Sequence, residues 1–219
     1  MRIPARVFAM SVLCFFAAGA VPATAQNWAE APGSPYSVVS SPQAVAITPD
    51  GSFLYVLNSV PSSANSVSVF RVSADNTLTE ISGSPFAVDQ NAVDLATDGR
   101  FLYTANGIGS DTVGAFTIDA AGSLTAVSGS PFTSGGSAPQ NLEVAPSGEY
   151  LVVTNAASDN FDIFLINGTT GALTAMSGSP FAAGDEPQGL SIDPSSTRLI
   201  ISNCLDDSFS AFEISPLDG

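Results

Sequence analysis

Residues 42–58 read PQAVAITPDGSFLYVLN. In the first run Val45 and Ile47 alternate with Ala44 and Ala46; after Asp50-Gly51 a second run, Phe53 to Asn58, is apolar nearly throughout. An Asp-Gly pair between two such runs is a hairpin signal, since both residues accept the positive φ that a tight turn requires. The arrangement returns three times, with the second run ending at Asn106, Asn155 and Asn203, at steps of 48, 49 and 48 residues. Asp98-Gly99 and Ser147-Gly148 mark two of the later turns, and Gln43, Asn91, Gln140 and Gln188 recur upstream at the same steps.

Each unit contains two further runs. Ser66 to Val72 (SVSVFRV) alternates cleanly, and Thr77 to Ser82 (TLTEIS) leads into Ser82-Gly83-Ser84-Pro85-Phe86. Period-two alternation over short runs joined by turns, repeated about every 48 residues, describes an all-β chain. It is a β-propeller of four-stranded antiparallel blades. The blade repeats fall at 42–88, 89–137, 138–186 and an incomplete 187–219, about four blades in all. The SGSPF motif recurs at 128–132 and 177–181, with a near-copy, PGSPY, at 32–36. It is predicted to follow the fourth strand and carry the chain across to the next blade, with Gly and Ser permitting the turn and Pro blunting an edge.

The pattern P-Q-x-V-x-I-x-P-D-G-x-F-L-Y-V-x-N at Pro42 to Asn58, repeated around YTAN and VVTN, resembles the YVTN-repeat β-propellers and the lactonase family of seven-bladed propellers. The resemblance implies a seven-bladed ring and, for the enzymes of that family, a lactone hydrolase acting at the central channel, as in the 6-phosphogluconolactonase-like members. Seven such units need roughly 340 residues, so a fragment of a longer propeller is expected. The alternative is a closed four-bladed ring in which Trp28 to Tyr36, matching a fourth strand, completes the last blade.

The first 25 residues read as a leader. Arg2 and Arg6 precede an apolar run, Val7 to Val21, and Ala23-Thr24-Ala25 supplies small residues for cleavage before Gln26. A secreted or periplasmic protein is expected, with the propeller in 26–219. Cys14 leaves with the leader, so Cys204 has no intrachain partner; beside the strand-like LIISN it is expected to be half-buried. The chain has no His, and without the leader three arginines (Arg71, Arg100, Arg198) face 20 acidic residues, a net of −17. Such a surface repels nucleic acid and anionic membrane, whose binding draws on clustered cations. The arginines lie beside strand ends and are not expected to converge, which argues against a phosphate-bearing substrate.

Two carboxylates, Asp94 and Glu143, stand three residues after Asn91 and Gln140, where the other units have Ala46 and Ser191. At one inner-strand position they would form an acid–base pair or hold a divalent cation. Gln43, Asn91, Gln140 and Gln188 form a candidate ring of ligand-binding amides at the channel mouth. Asp159 with Asp162, and Asp206 with Asp207, are candidate metal ligands, although their spacing matches no EF-hand loop. The repeated Asn58, Asn106, Asn155 and Asn203 are expected to cap loop backbone groups. The chain is read as an exported binding or scaffold module for a protein or small polar ligand, with lactone hydrolysis as the alternative. No cofactor is expected beyond a divalent cation.

Overall fold

The computed structural model describes residues 30–59 and 65–214; the expected leader at 1–25, Trp28 and the last five residues lie outside them. Alternating residues and hairpin turns produce four consecutive antiparallel sheets. The first holds β1 (Pro42–Ile47), β2 (Phe53–Asn58), β3 (Ser66–Val72), β4 (Leu78–Glu80) and β5 (Phe86–Ala87). The second holds β6 (Ala92–Thr97), β7 (Phe101–Asn106), β8 (Thr112–Ile118), β9 (Leu124–Ala126) and β10 (Phe132–Thr133). The third holds β11 (Pro139–Val144), β12 (Tyr150–Asn155), β13 (Asn160–Ile166), β14 (Leu173–Ala175) and β15 (Phe181–Ala182). The fourth holds β16 (Pro187–Ile192), β17 (Arg198–Asn203) and β18 (Ser208–Glu213). The architecture is an all-β partial propeller with no helix among the described residues.

The cores lie between sheets. Phe53, Tyr55, Leu57, Val67 and Val69 of the first blade close on Leu95, Leu102, Phe116 and Leu124 of the second. Tyr103, Ala105, Val113 and Ala115 then face Leu142, Leu151, Val153 and Phe164 of the third. The pattern repeats between Val152, Phe161 and Ile163 and the fourth blade's Ile192, Leu199 and Ile201. Consecutive strand residues therefore enter different cores, as the pleat demands. The tyrosines lock the seams: Tyr55 donates to Gly122 O (3.2 Å), Tyr103 to Gly171 O (3.2 Å) and Tyr150 to Ser196 O (2.7 Å) of the next blade. Gly122 sits at φ +89°, and a Cβ there would fall 2.5 Å from the Phe53 ring, so both backbone conformation and seam closure require glycine.

The structure corrects the reading of SGSPF. The outer strand is one strand in two pieces: β4 pairs with Phe70 to Val72 and β5 with Ser66 and Val67, and the motif is the detour between them. Where the detour leaves the third strand without a backbone acceptor, the serine supplies one. Val69 N donates to Ser84 Oγ (3.0 Å), Ala115 N to Ser130 Oγ (2.9 Å) and Ile163 N to Ser179 Oγ (3.0 Å). Gly83, Gly129 and Gly178 turn the chain at φ +88° to +92°, each Ser–Pro bond is cis, and each Phe ring folds back over its glycine. The chain crosses to the next blade only after the resumed piece.

Three further expectations change. Residues 30–36 form no strand, and the fourth sheet has three strands among the described residues. Instead Tyr36 lies against the first blade, its ring 6.4 Å from that of Phe70 and its hydroxyl accepting Leu78 N (3.2 Å) and donating to Pro32 O. Cys204 is exposed rather than half-buried, because it follows β17 in a loop. The hairpin at Asp98-Gly99 is shorter than its counterparts: Thr97 pairs with Leu102, leaving 98–101 between, whereas Ile47 pairs with Leu54 and Val144 with Leu151, leaving 48–53 and 145–150.

The serine-capped detour has a direct test. Ser179→Ala leaves Ile163 N without its acceptor and should cost about 1 kcal/mol in chemical denaturation, whereas Ser34→Ala, whose hydroxyl has no partner among the described residues, should leave the midpoint unchanged.

Candidate functional site

One end of the blades, the mouth, is built by the loops that lead into each inner strand (88–91, 134–138, 183–186) and those joining second to third strands (107–111, 156–159, 204–207). The repeated asparagines hold these loops from within. Asn58, Asn106 and Asn155 are fully buried and Asn203 is 3% exposed. Asn58 lies 3.0 Å from Ser68 Oγ; Asn106 donates to Thr112 Oγ1 (3.0 Å); Asn155 donates to Asn160 Oδ1 (2.8 Å) and Asp162 Oδ2 (2.9 Å). Asn203 accepts Gly184 N (3.2 Å) and donates to Ser208 and Ser210 (3.0 Å each). These side chains tie two strands to an incoming loop, which is structural capping.

The two inner-strand carboxylates are not at one position. Asp94 pairs with Ala105, one residue before Asn106, while Glu143 pairs with Val152, three before Asn155. The shortened hairpin of the second blade displaces its inner strand by two residues, so Asp94 corresponds to Asn141 and Val93, not Asn91, to Gln140. The amide ring thus loses a member: Gln43 and Gln140 are exposed and Gln188 half-buried on their inner strands, whereas Asn91 precedes β6 in a loop at φ +60°. Asn91 bonds locally, donating to Ser110 Oγ (3.1 Å) and accepting Gly107 N (2.8 Å).

Both carboxylates tie neighbouring blades. Asp94 Oδ2 accepts Asn141 Nδ2 (2.7 Å) and Leu142 N (3.1 Å), and Glu143 Oε2 accepts Ile192 N (3.3 Å). Burial pushes Asp94 above its ordinary 3.8 and Glu143 above 4.5, against the lowering pull of those backbone donors. The candidate metal ligands also separate. Asp162, 1% exposed, accepts from Ser134, Gly135, Asn155 and Ser179, while Asp159 is exposed and its Oδ1 accepts Glu186 N (3.0 Å). Asp206 accepts Asp185 N (2.8 Å), and Asp207 is exposed at φ +51°. Among the described residues no three acidic or cysteine side chains converge as a metal cluster.

Two clefts among the described residues bear on the sequence expectations. At the mouth, a cleft of about 420 Å³ is lined by Gln140, Asp159, Asp185 and Glu186 with Ile108 and Leu205. Ile108 is 84% and Leu205 71% exposed, each two residues after its capping asparagine. At the hairpin end, a cleft of about 590 Å³ between the first two blades brings Arg71 and Arg100 together, contrary to the expectation that the arginines stay apart. Arg100 donates to Asp98 (2.7 and 3.0 Å) and to Gly168 O (3.0 Å), and Arg71 stacks 4.7 Å over Phe53. Asp50 and Asp119 share this cleft, so its charge is mixed rather than cationic.

The raised carboxylates fix a pH dependence. Their neutral forms suit the fold better, so their contribution is fully present below the ordinary values of 3.8 and 4.5 and is lost as pH rises through the folded-state values. Asp50 and Asp193, held at about 2 chiefly by the hydroxyls of Thr48 and Ser195, act oppositely and lose their contribution as pH falls from 3.8 towards 2. Thermal melts should therefore peak at mildly acidic pH. Asp94→Asn, which keeps an acceptor oxygen for Asn141 and Leu142, should flatten the fall towards neutrality; an unchanged slope refutes the assignment.

Comparison with known proteins gives the fold and a family match over part of the chain. The model of the lactonase, 7-bladed beta-propeller, family matches residues 83–183. Similar solved structures include a protein of unknown function from Desulfotomaculum acetoxidans (20% identity, TM-score 0.68, 81% of this chain and 53% of that one). A Bacteroides uniformis protein provisionally named a 6-phosphogluconolactonase is similar at 19% identity and TM-score 0.70, over 80% of this chain and 53% of that one. The periplasmic gluconolactonase of Pseudomonas aeruginosa is similar at 22% identity and TM-score 0.63, over 81% and 54%. No curated protein matches. The chain spans about half the length of these solved structures. Residues 83–183 thus match the seven-bladed lactonase propeller family, and the chain folds as part of a β-propeller.

Proposed function

We propose that this chain belongs to an exported propeller that binds a small polar ligand at the channel mouth and performs no acid–base chemistry with its inner-strand carboxylates. The observation that carries the reading is the engagement of Asp94 and Glu143 in hydrogen bonds to the next blade. A general acid or base must reach the proton it moves, and these carboxylates are turned to Asn141, Leu142 and Ile192. The mouth cleft offers instead the carboxylates of Asp159, Asp185 and Glu186 beneath two exposed aliphatic side chains. That combination suits a neutral or cationic molecule with hydrogen-bond donors and an apolar edge. A formal net charge of −15 disfavours nucleic acid and anionic membrane as partners. A divalent cation is the one cofactor the acidic loops would attract. Export is supported by the leader pattern of residues 1–25, and cleavage there predicts Gln26 as the first residue on N-terminal sequencing of the secreted protein.

A second reading, lactone hydrolysis, is favoured by the name of the similar Pseudomonas protein and by the raised carboxyl of Glu143. One experiment separates the two. The protein is incubated with sugar lactones, with and without Ca²⁺ or Mg²⁺, while thermal shift reports binding. The binding reading expects a ligand-dependent rise in Tm without turnover, lost in Glu186→Gln. Turnover that disappears in Glu143→Gln or Asp94→Asn overturns it in favour of hydrolysis.

A further inference from the structure

Asp89 lies in the mouth loop between β5 and β6, and its Oδ2 is buried with no hydrogen-bond partner. It sits over Gly114 of β8, where a Cβ would fall within 2.5 Å of both Asp89 Oδ2 and Thr104 Oγ1. The glycine therefore vacates the space that the carboxylate occupies.

The third blade arranges the same place in reverse. Gly135 stands three residues after Phe132, as Asp89 stands three after Phe86. Asp162 pairs with Val153, two before Asn155, as Gly114 pairs with Thr104, two before Asn106. One carboxylate and one glycine are present in both blades, with their strand and loop origins exchanged. In the third blade the carboxylate is saturated: Asp162 Oδ2 accepts Ser134 Oγ (2.8 Å), Gly135 N (2.9 Å) and Asn155 Nδ2 (2.9 Å). In the second, Val88 stands where Ser134 would donate, and Oδ2 is left bare.

A bare buried carboxylate oxygen is costly when ionised and much less so when it carries a proton that finds an acceptor. Thr104 Oγ1 borders the same space above Gly114 and, donating its own proton to Asn106 Oδ1 (3.0 Å), keeps lone pairs free to accept one. We propose that Asp89 is a proton-controlled latch of the channel mouth. Protonated, its Oδ2–H donates to Thr104 Oγ1 and closes loop 88–91 on the second blade; ionised, it loosens that loop.

Burial raises its carboxyl above the ordinary 3.8, against a lowering contribution from the Asn106 amide. The titratable groups on the surrounding elements are engaged elsewhere. Asp94 of β6 bonds to Asn141, the Tyr103 hydroxyl of β7 to Gly171 O, and Asp111 of loop 107–111 to Ala138 N (2.8 Å). β8 carries no titratable side chain. The latch reaches the ligand face through Gly107 N to Asn91 O (2.8 Å) and Ser110 Oγ to Gln90 O (3.2 Å), which hold the loop bearing Ile108. Only that consequence for binding rests on the mouth-cleft reading above.

The test follows the Asp89 carboxyl by ¹³C NMR and the Gly107 amide by hydrogen exchange, without ligand. Asp89 should titrate above 3.8, and Gly107 protection should fall by about tenfold or more as pH rises through that titration. Asp89→Asn should hold protection constant. Val88→Ser, which restores the missing donor, should remove the pH dependence while leaving the carboxylate ionised. Titration at or below 3.8, or the same Gly107 profile in Asp89→Asn, overturns the latch. A latch that titrates as expected while no ligand shifts Tm refutes the binding reading alone.

Discussion

The pleat of every strand sends successive side chains to opposite faces of its sheet, and in the inner blades both faces are covered by a neighbouring sheet. Tyr55 and Leu57, on one face of β2, are wholly buried in the core shared with Leu95, Leu102 and Phe116. Tyr103 and Ala105 enter the next core, while Leu102, the residue before Tyr103, faces back to the first. Removing such a side chain, Leu102→Ala for example, costs about 2–5 kcal/mol because it opens a cavity between two sheets at once. Stability here is a sum over seams between neighbours, as in other repeat architectures. The seams are also polar where they must be, since each buried tyrosine hydroxyl finds a turn carbonyl of the next blade.

Sheet edges need separate management. The outer strand is short and broken, and the break would leave a third-strand N–H bare. The serine of the recurring motif closes that gap, and the Phe that follows restarts pairing while covering the glycine. A short, interrupted outer strand with Pro beside it is a poor template for pairing with other chains. The recurrence of SGSPF is explained by this one backbone requirement, met three times over.

At the mouth, buried polar groups follow a rule of position rather than of sequence. Each loop approaches a buried asparagine, and in the second and third blades a carboxylate fills the remaining space, from the loop in one and from the third strand in the other. Asp94 and Glu143 likewise look alike along the chain and differ in space. Both end in bonds to the next blade, which tie the inner strands of neighbouring blades together.

The sequence by itself determined the sheets and their order. Period-two alternation, Asp-Gly turns and the 48-residue beat are local signals, and the pleat converts them directly into strands; the capping role of the repeated asparagines was legible for the same reason. Register was not. Equal spacing conceals a hairpin two residues shorter, so along the chain Asp94 and Glu143 look equivalent and Asn91 looks like a member of an amide ring. Asp89 gave no signal, because its significance lies in Gly114 and Val88, which only cross-strand pairing and the neighbouring blade reveal. Spacing along a chain records what turns and strands require; which side chains meet is set by pairing across strands and packing between sheets, and that belongs to the tertiary structure.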